Sequence, residues 1–345
     1  MQNRKKIVKI VIILSVLLFL FTACTKNEEP MTKEEIIFGS IPVKITVFDS
    51  SKEEELDIAF ELIKAIDNKM SKNKEESEVS AINSQAGKGY VSVSKETFDV
   101  IQKSESFYIT SKGYFDITIG PLVELWDIGP TTGHIPDEAE IDNVLELINY
   151  NDIMFNESNY EIKLSKENMV IDLGGIAKGY AADVVVDYFK SVGINKAIIN
   201  LGGNVSVMGQ KNEEDLWSVG IQNPLEPTGS SLGILKAADL SVVTSGTYQR
   251  YFEADGIRYH HILDPKDGYP IRNSLQSVTI VTENSLRADA LSTALFALGL
   301  EEGLSLANDD ETIEAIFVTK ENEIYLSEGI KNNFKLLRNN FEIVK

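Results

Sequence analysis

Apolar and polar residues alternate at Val43, Ile45 and Val47, which predicts a half-buried strand. Over 53–70 the apolar positions Leu56, Phe60, Ile63 and Ile66 fall at helical spacing, and three further segments repeat that period. They are 95–111 with Phe98, Ile101 and Tyr108, 137–149 with Ile141, Val144, Leu145 and Ile148, and 175–192 with Tyr180, Val184, Val185 and Tyr188. Short strands then follow at 197–200, 205–208, 217–221, 233–235, 240–243, 257–263 and 277–281. A strongly apolar helix is expected at 285–298, and a closing hairpin at 315–318 and 323–326. Helices come early and strands late, with no long linker and no repeat. That order predicts an α+β fold: mainly antiparallel sheets flanked by helices, in a single compact domain.

The first residues follow a different pattern. Arg4, Lys5, Lys6 and Lys9 precede an uncharged, mostly apolar run over 10–23, too short to span a bilayer at about 20 residues. The run ends in Thr22-Ala23-Cys24, so residues 1–23 read as a lipoprotein signal peptide and Cys24 as the lipidation site. An ordinary secretory signal and an uncleaved anchor are the alternatives. Residues 24–34 read as a polar tether and 35–345 as the catalytic domain. This places the protein at the cell membrane, lipid-anchored and facing the extracytoplasmic side.

Charge narrows the partners. The 53 acidic residues against 33 basic ones give a net charge of −20, which repels phosphate backbones and argues against nucleic acid. A chain this acidic that binds a phosphate needs a metal cation or a local group of N–H donors. A lone cysteine excludes an intrachain disulfide and a cysteine-based zinc site. The Walker and Rossmann glycine patterns, H-E-x-x-H and G-x-S-x-G are all missing.

Several polar, glycine-rich blocks remain. In Asp172-Leu173-Gly174-Gly175-Ile176-Ala177-Lys178 a glycine pair opens a helix, and Lys178 stands in the first turn, where a cation opposes the helix dipole. Either Lys178 is held there for a phosphate or the block is a plain strand–helix turn with a solvated lysine. Asn200-Leu201-Gly202-Gly203-Asn204 reads as a tight turn between strands. His260, His261 and Asp264 precede a Pro/Gly turn and offer an acid–base site or a capped strand end. Asp289 and Thr293 share one face of an apolar helix, with Ser292 beside them. A carboxylate there needs a partner, either Arg287 or a hard cation such as Mg²⁺ that also takes substrate phosphates.

Taken in order, these blocks resemble the ApbE family of FAD:protein FMN transferases. The resemblance rests on F-D-I-T-I-G-P-L at 115–122 with Trp126, D-L-G-G-I-A-K-G-Y-A-A-D, N-L-G-G-N, T-S-G-T-Y-Q-R at 244–250, H-I-L-D-P and D-A-L-S-T-A. It implies an extracytoplasmic, Mg²⁺-dependent lipoprotein that moves FMN from FAD onto a Thr or Ser hydroxyl of a partner protein and releases AMP. By the same resemblance the metal would be held by the Gly175 carbonyl, Asp289 and Thr293, with Ser292 adjacent. FAD would contact Tyr114, Phe115, Asp116, Asp172, Lys178 and the backbone near Leu263. His261 is the implied general base, with Asp264 the next candidate, and Lys178 stabilises the leaving AMP. The sequence departs from the family where M-S-x-Y becomes Met70-Ser71-Lys72-Asn73. Asn73 in place of an aromatic at the FAD site raises a pyrophosphatase that hydrolyses FAD to FMN and AMP as an alternative. A flavin-binding lipoprotein is the other.

Overall fold

The computed structural model describes residues 29–49, 53–129 and 131–344. Nine strands form one sheet in the order β1 (Met31–Ile37), β2 (Ile41–Val47), β6 (Ala197–Leu201), β7 (Asn204–Met208), β10 (Leu240–Gly246), β13 (Leu275–Thr282), β14 (Glu314–Thr319), β15 (Glu323–Leu326) and β17 (Glu342–Ile343). Every neighbouring pair is antiparallel except β15 and β17. Both faces are covered, because the central strands bury successive residues and these point to opposite faces. Val43, Ile45, Val243, Val278, Ile280 and Phe317 face one core. Their neighbours Val242, Val281, Ile316 and Val318 face a second core under the small sheet β16 (Phe334–Leu336), β9 (Ser231–Ala237) and β8 (Trp217–Gln222).

The α-helices among the described residues are α1 (Glu53–Met70), α2 (Glu78–Ser84), α3 (Lys95–Thr110), α4 (Gly120–Trp126), α5 (Glu138–Leu145), α6 (Ala177–Ser191), α7 (Ser285–Leu298) and α8 (Leu300–Asp309). Of these eight, six line the first core, while α4 and α5 hold Leu122, Trp126 and Ile141 in a third core with Leu263. Helix α7 is buried almost all round, as its sequence predicts, and lies against β10, β13 and α6. Strands β3 (Val91–Ser92), β5 (Glu161–Leu164) and β4 (Ile153–Asn156) form a small sheet, and β11 (Tyr251–Ala254) pairs with β12 (Ile257–His260) as a separate hairpin.

The α+β expectation holds, with local corrections. Strand β1 begins at Met31, inside the segment read as a tether, so the ordered domain starts before residue 35. Its residues carry charge because it is an edge strand: Lys33 bonds Glu35 and Asp57, and Thr32 bonds Thr46. Helix α5 stops at Leu145 rather than reaching 149, and α6 starts at Ala177, leaving Gly174 and Gly175 in the preceding turn. The strand expected over 257–263 ends at His260. The expected signal peptide, Cys24 and the first residues of the tether lie outside the described residues. Among the described residues no helix is long and apolar enough to cross a membrane.

Candidate active site

The turn before α6 is tied by its own side chains. Asp172 accepts the Gly174 N–H at 2.8 Å, and its backbone N–H donates to the Ile117 carbonyl at 2.8 Å. The edge of Phe115 covers Gly175, where an added Cβ would come within 3.2 Å of the ring. Lys178 turns back over this turn and donates to the Gly174 carbonyl at 3.1 Å.

Helices α6 and α7 cross closely because Gly179 has no side chain. A Cβ there would overlap the Ser285 carbonyl and the Leu286 backbone. Asp183, one turn further along α6, accepts the Ser285 and Leu286 N–H groups at 2.7 and 2.9 Å and the Asn284 amide at 2.8 Å. It thereby caps α7 from outside, and burial pushes its carboxyl up to about 6.

This crossing sets Asp289 at the centre. Its side chain is 4% exposed. One carboxylate oxygen accepts the Gly179 N–H at 2.9 Å, the other accepts the Asn204 amide at 2.9 Å, and the Lys178 ammonium stands 3.5 Å from both. Arg287 pairs with Asp310 instead, so it is not the partner of Asp289. The Ser292 hydroxyl donates to the Asp289 carbonyl at 2.8 Å and lies 2.8 Å from Ser245, so it faces the protein interior. Thr293, 3.1 Å from Ser245, stays part-exposed.

The two adjacent histidines are divided in role. His260 is buried, donates from Nε2 to the Ile271 carbonyl at 3.0 Å and accepts the Ile262 N–H at Nδ1. Both ring nitrogens are used by the neutral form, and burial pushes its pKa down to about 4. His261 donates from Nδ1 to the Arg250 carbonyl at 3.2 Å, which also accepts the His261 backbone N–H at 3.1 Å. Its Nε2 has no partner among the described residues and is left as a lone-pair acceptor. Burial, followed by the positive charge of Arg250, pushes its pKa down to about 3, and His260 and Lys178 add to the effect. The charge of Lys178 therefore reaches the His261 ring.

The ApbE family model matches residues 40–317. This chain belongs to the ApbE family. It is 41% identical over 285 residues to a FAD:protein FMN transferase of Klebsiella pneumoniae (strain 342), covering 83% of this chain and 88% of that one. A FAD:protein FMN transferase of Treponema pallidum (strain Nichols) is 30% identical over 323 residues, with 89% of each chain covered. The crystal structure of the ApbE protein of Thermotoga maritima MSB8 superposes with a TM-score of 0.80 at 32% identity, covering 88% of this chain and 99% of that one. The flavin transferase ApbE of Vibrio cholerae gives 0.79 at 26% identity, with the same coverage.

Within this ApbE domain the other sequence-predicted residues fall into two groups. Tyr114 is part-exposed with the Lys266 ammonium 3.4 Å from its ring centre, and Asp172 lies 3.9 Å from Lys72. Asn73 is exposed in a turn. Phe115 and Asp116, by contrast, are buried. Asp116 accepts the Thr118 N–H and hydroxyl at 2.8 and 2.7 Å and the Tyr150 N–H at 3.0 Å, so its carboxylate is filled by the protein itself. Leu263 packs with Leu122, Trp126 and Ile141, and its backbone bridges Pro270. Asp264 accepts the Lys266 N–H at 2.8 Å and shapes the turn after it.

Three residues at this site escaped the sequence reading. Gly179 and Asn204 lie inside the D-L-G-G-I-A-K-G and N-L-G-G-N blocks, but nothing in those blocks says that a backbone N–H and a side-chain amide there meet on Asp289. Lys72, between Glu124 at 3.1 Å and Asp172, looks in sequence like one more lysine of a charged loop.

The donor set fits a hard cation. Asp289 already holds a cationic group against both oxygens, and the oxygens of Thr293 and the Gly175 carbonyl are of the type Mg²⁺ takes. Among the described residues no group of three or more His, Cys, Asp and Glu could cage a metal alone. One carboxylate with neutral oxygens suits an ion that shares its coordination with substrate phosphates.

Proposed function

We propose that this ApbE protein is a Mg²⁺-dependent FAD:protein FMN transferase that moves FMN from FAD onto a Thr or Ser hydroxyl of an extracytoplasmic partner protein and releases AMP. The observation that carries this reading is the tautomer of His261: the Arg250 carbonyl holds the proton on Nδ1 and leaves Nε2 free, in a chain whose Lys178–Asp289 pair lies close enough for the lysine's charge to act on that ring. An imidazole in that state can take a hydroxyl proton.

In the reaction the acceptor oxygen attacks the phosphorus of the FMN half, and the bond from that phosphorus to the AMP oxygen breaks. The hydroxyl proton passes to His261 Nε2. Lys178 supplies positive charge to the pyrophosphate, which the acidic surface otherwise repels. Asp289, Thr293 and the Gly175 carbonyl would hold Mg²⁺, which when bound neutralises charge developing on the departing phosphate. Burial first, then the charges of Arg250 and Lys178, hold His261 at low basicity, and the anionic substrate offsets the charge part of that effect.

The protein works outside the cytoplasm in this reading, anchored through lipid on Cys24. Loss of membrane attachment in Cys24→Ala tests the anchor. Asn73, exposed where the family carries Tyr, favours hydrolysis of FAD as a second reading.

Incubation with FAD, Mg²⁺ and the secreted proteins of its own cell, followed by flavin fluorescence on a denaturing gel, tests the function. A fluorescent partner band with acceptor-dependent AMP supports transfer. AMP without any acceptor supports the pyrophosphatase, and no AMP at all leaves a binder.

A further inference from the structure

A groove of about 520 Å³ opens between Thr131, Gly133 and strand β11, with Arg250 among its lining residues. The β11–β12 hairpin turns on Asp255 and Gly256, both at positive φ (52° and 76°), which is the two-residue I′ turn. In that turn Ala254 and Ile257 are a hydrogen-bonded pair, so Phe252 and Tyr259 are the next one. The His261 N–H bond to the Arg250 carbonyl continues the series. Tyr251 and Glu253 therefore aim their N–H and C=O groups away from β12. No other strand pairs with β11 among the described residues, so this outer edge is open.

The charge of the groove is also set. Glu253 is paired with Arg258 at 3.2 Å. Arg250 is exposed, and its guanidinium has no hydrogen bond or ion pair to a described residue. The groove thus carries local positive charge on a strongly acidic protein, at the residue whose carbonyl holds the base.

We propose that an extended segment of the acceptor protein lies in this groove as an added strand on β11, with an acidic side chain on the Arg250 guanidinium and its hydroxyl carried on to His261. An open strand edge supplies affinity through main-chain hydrogen bonds, and the charged end fixes direction. The assignment rests on the transferase reading.

The acceptor for the test is the band that becomes fluorescent in the gel assay, purified. Glu253→Pro removes an outward N–H while leaving the β12 ladder intact, since proline is tolerated on the open side of an edge strand. Glu253→Gln loses only the ion pair and serves as control. Thr131→Trp fills the groove from the other wall. The acceptor KM should rise at least about tenfold in the proline and tryptophan variants, with FAD affinity by fluorescence quenching unchanged and the glutamine variant close to wild type. If Glu253→Pro melts early, Thr131→Trp decides alone. An unchanged acceptor KM overturns the groove assignment while leaving the transferase reading standing, and a loss of FAD affinity in Thr131→Trp overturns it in favour of FAD. No fluorescent band with the wild-type protein removes the transferase reading, and this assignment with it.

Discussion

The ammonium of Lys178 stands 3.5 Å from each carboxylate oxygen of Asp289, with the Gly179 N–H and the Asn204 amide closing the rest of that carboxylate. Asp289 thus gathers a backbone N–H of α6, a side-chain amide and a lysine on one carboxylate, where the proposed Mg²⁺ would bind. Asp289→Ala should abolish AMP release and strongly weaken FAD binding. It should also lower stability by about 3 kcal/mol, because Lys178 and two buried donors lose their acceptor. Calorimetric Mg²⁺ and FAD titrations alongside denaturant unfolding measure all three. Full activity in the presence of a chelator would contradict the metal assignment.

His261→Ala should keep FAD affinity within a few-fold and cut transfer by about 10²–10⁴, the range for a lost general base. A collapse of FAD affinity instead would make His261 a ligand contact and move attention to Asp264.

The same residue predicts an asymmetry in pH dependence. A base must be neutral to act, so activity falls as pH drops through its pKa. In the free protein burial and then the Arg250 charge push that value down to about 3, and a bound pyrophosphate anion should raise it. The acid limb of kcat should therefore lie at higher pH than the limb of kcat/KM for FAD, because the first reports the loaded enzyme and the second the free one. Coincident limbs near the ordinary histidine value would show that the site potential is not what tunes this base.

His260 predicts a stability effect. Its folded pKa, about 4, lies below the ordinary 6.5, so the unfolded chain takes up a proton first. The contribution is complete above about pH 6.5 and is lost as pH falls toward about 4. Between about pH 7.5 and pH 5 the loss amounts to about 2 kcal/mol. His260→Gln keeps a donor for the Ile271 carbonyl but does not titrate, so denaturant unfolding of this variant should show a correspondingly shallower pH dependence.

Gly179→Ala should force α6 away from α7, since the new methyl meets the Ser285 and Leu286 backbone. The expected cost is about 1–3 kcal/mol of stability with a matching loss of FAD affinity. Asp183→Asn, which weakens the α7 cap without adding volume, should give the smaller effect in the same two measurements.

Much of this was legible in the chain. Helices α1 and α7 fall on the residues where the apolar period begins and ends, because long periodic segments bury one stripe or every side regardless of their neighbours. Strand β1 was not legible: its sequence is mostly charged, and only pairing with β2 makes it a strand. The glycine block and Asp289 meet in the structure as the polar blocks suggest, yet which histidine keeps a free ring nitrogen depends on the Ile271 and Arg250 carbonyls, eleven residues from their partners. Asp116 shows the converse. A motif carboxylate can serve the fold, and only its three internal donors reveal this.

The groups that close around Asp289 come from 110 and 85 residues earlier in the chain. No stretch of sequence can build that cradle alone, and any opening that parts α6 from α7 dissolves it. Occupancy of the site is consequently a gauge of the finished fold. A ligand bound there stabilises the whole domain by about 1.4 kcal/mol for each tenfold excess over its Kd, and nothing short of the whole domain can retain it.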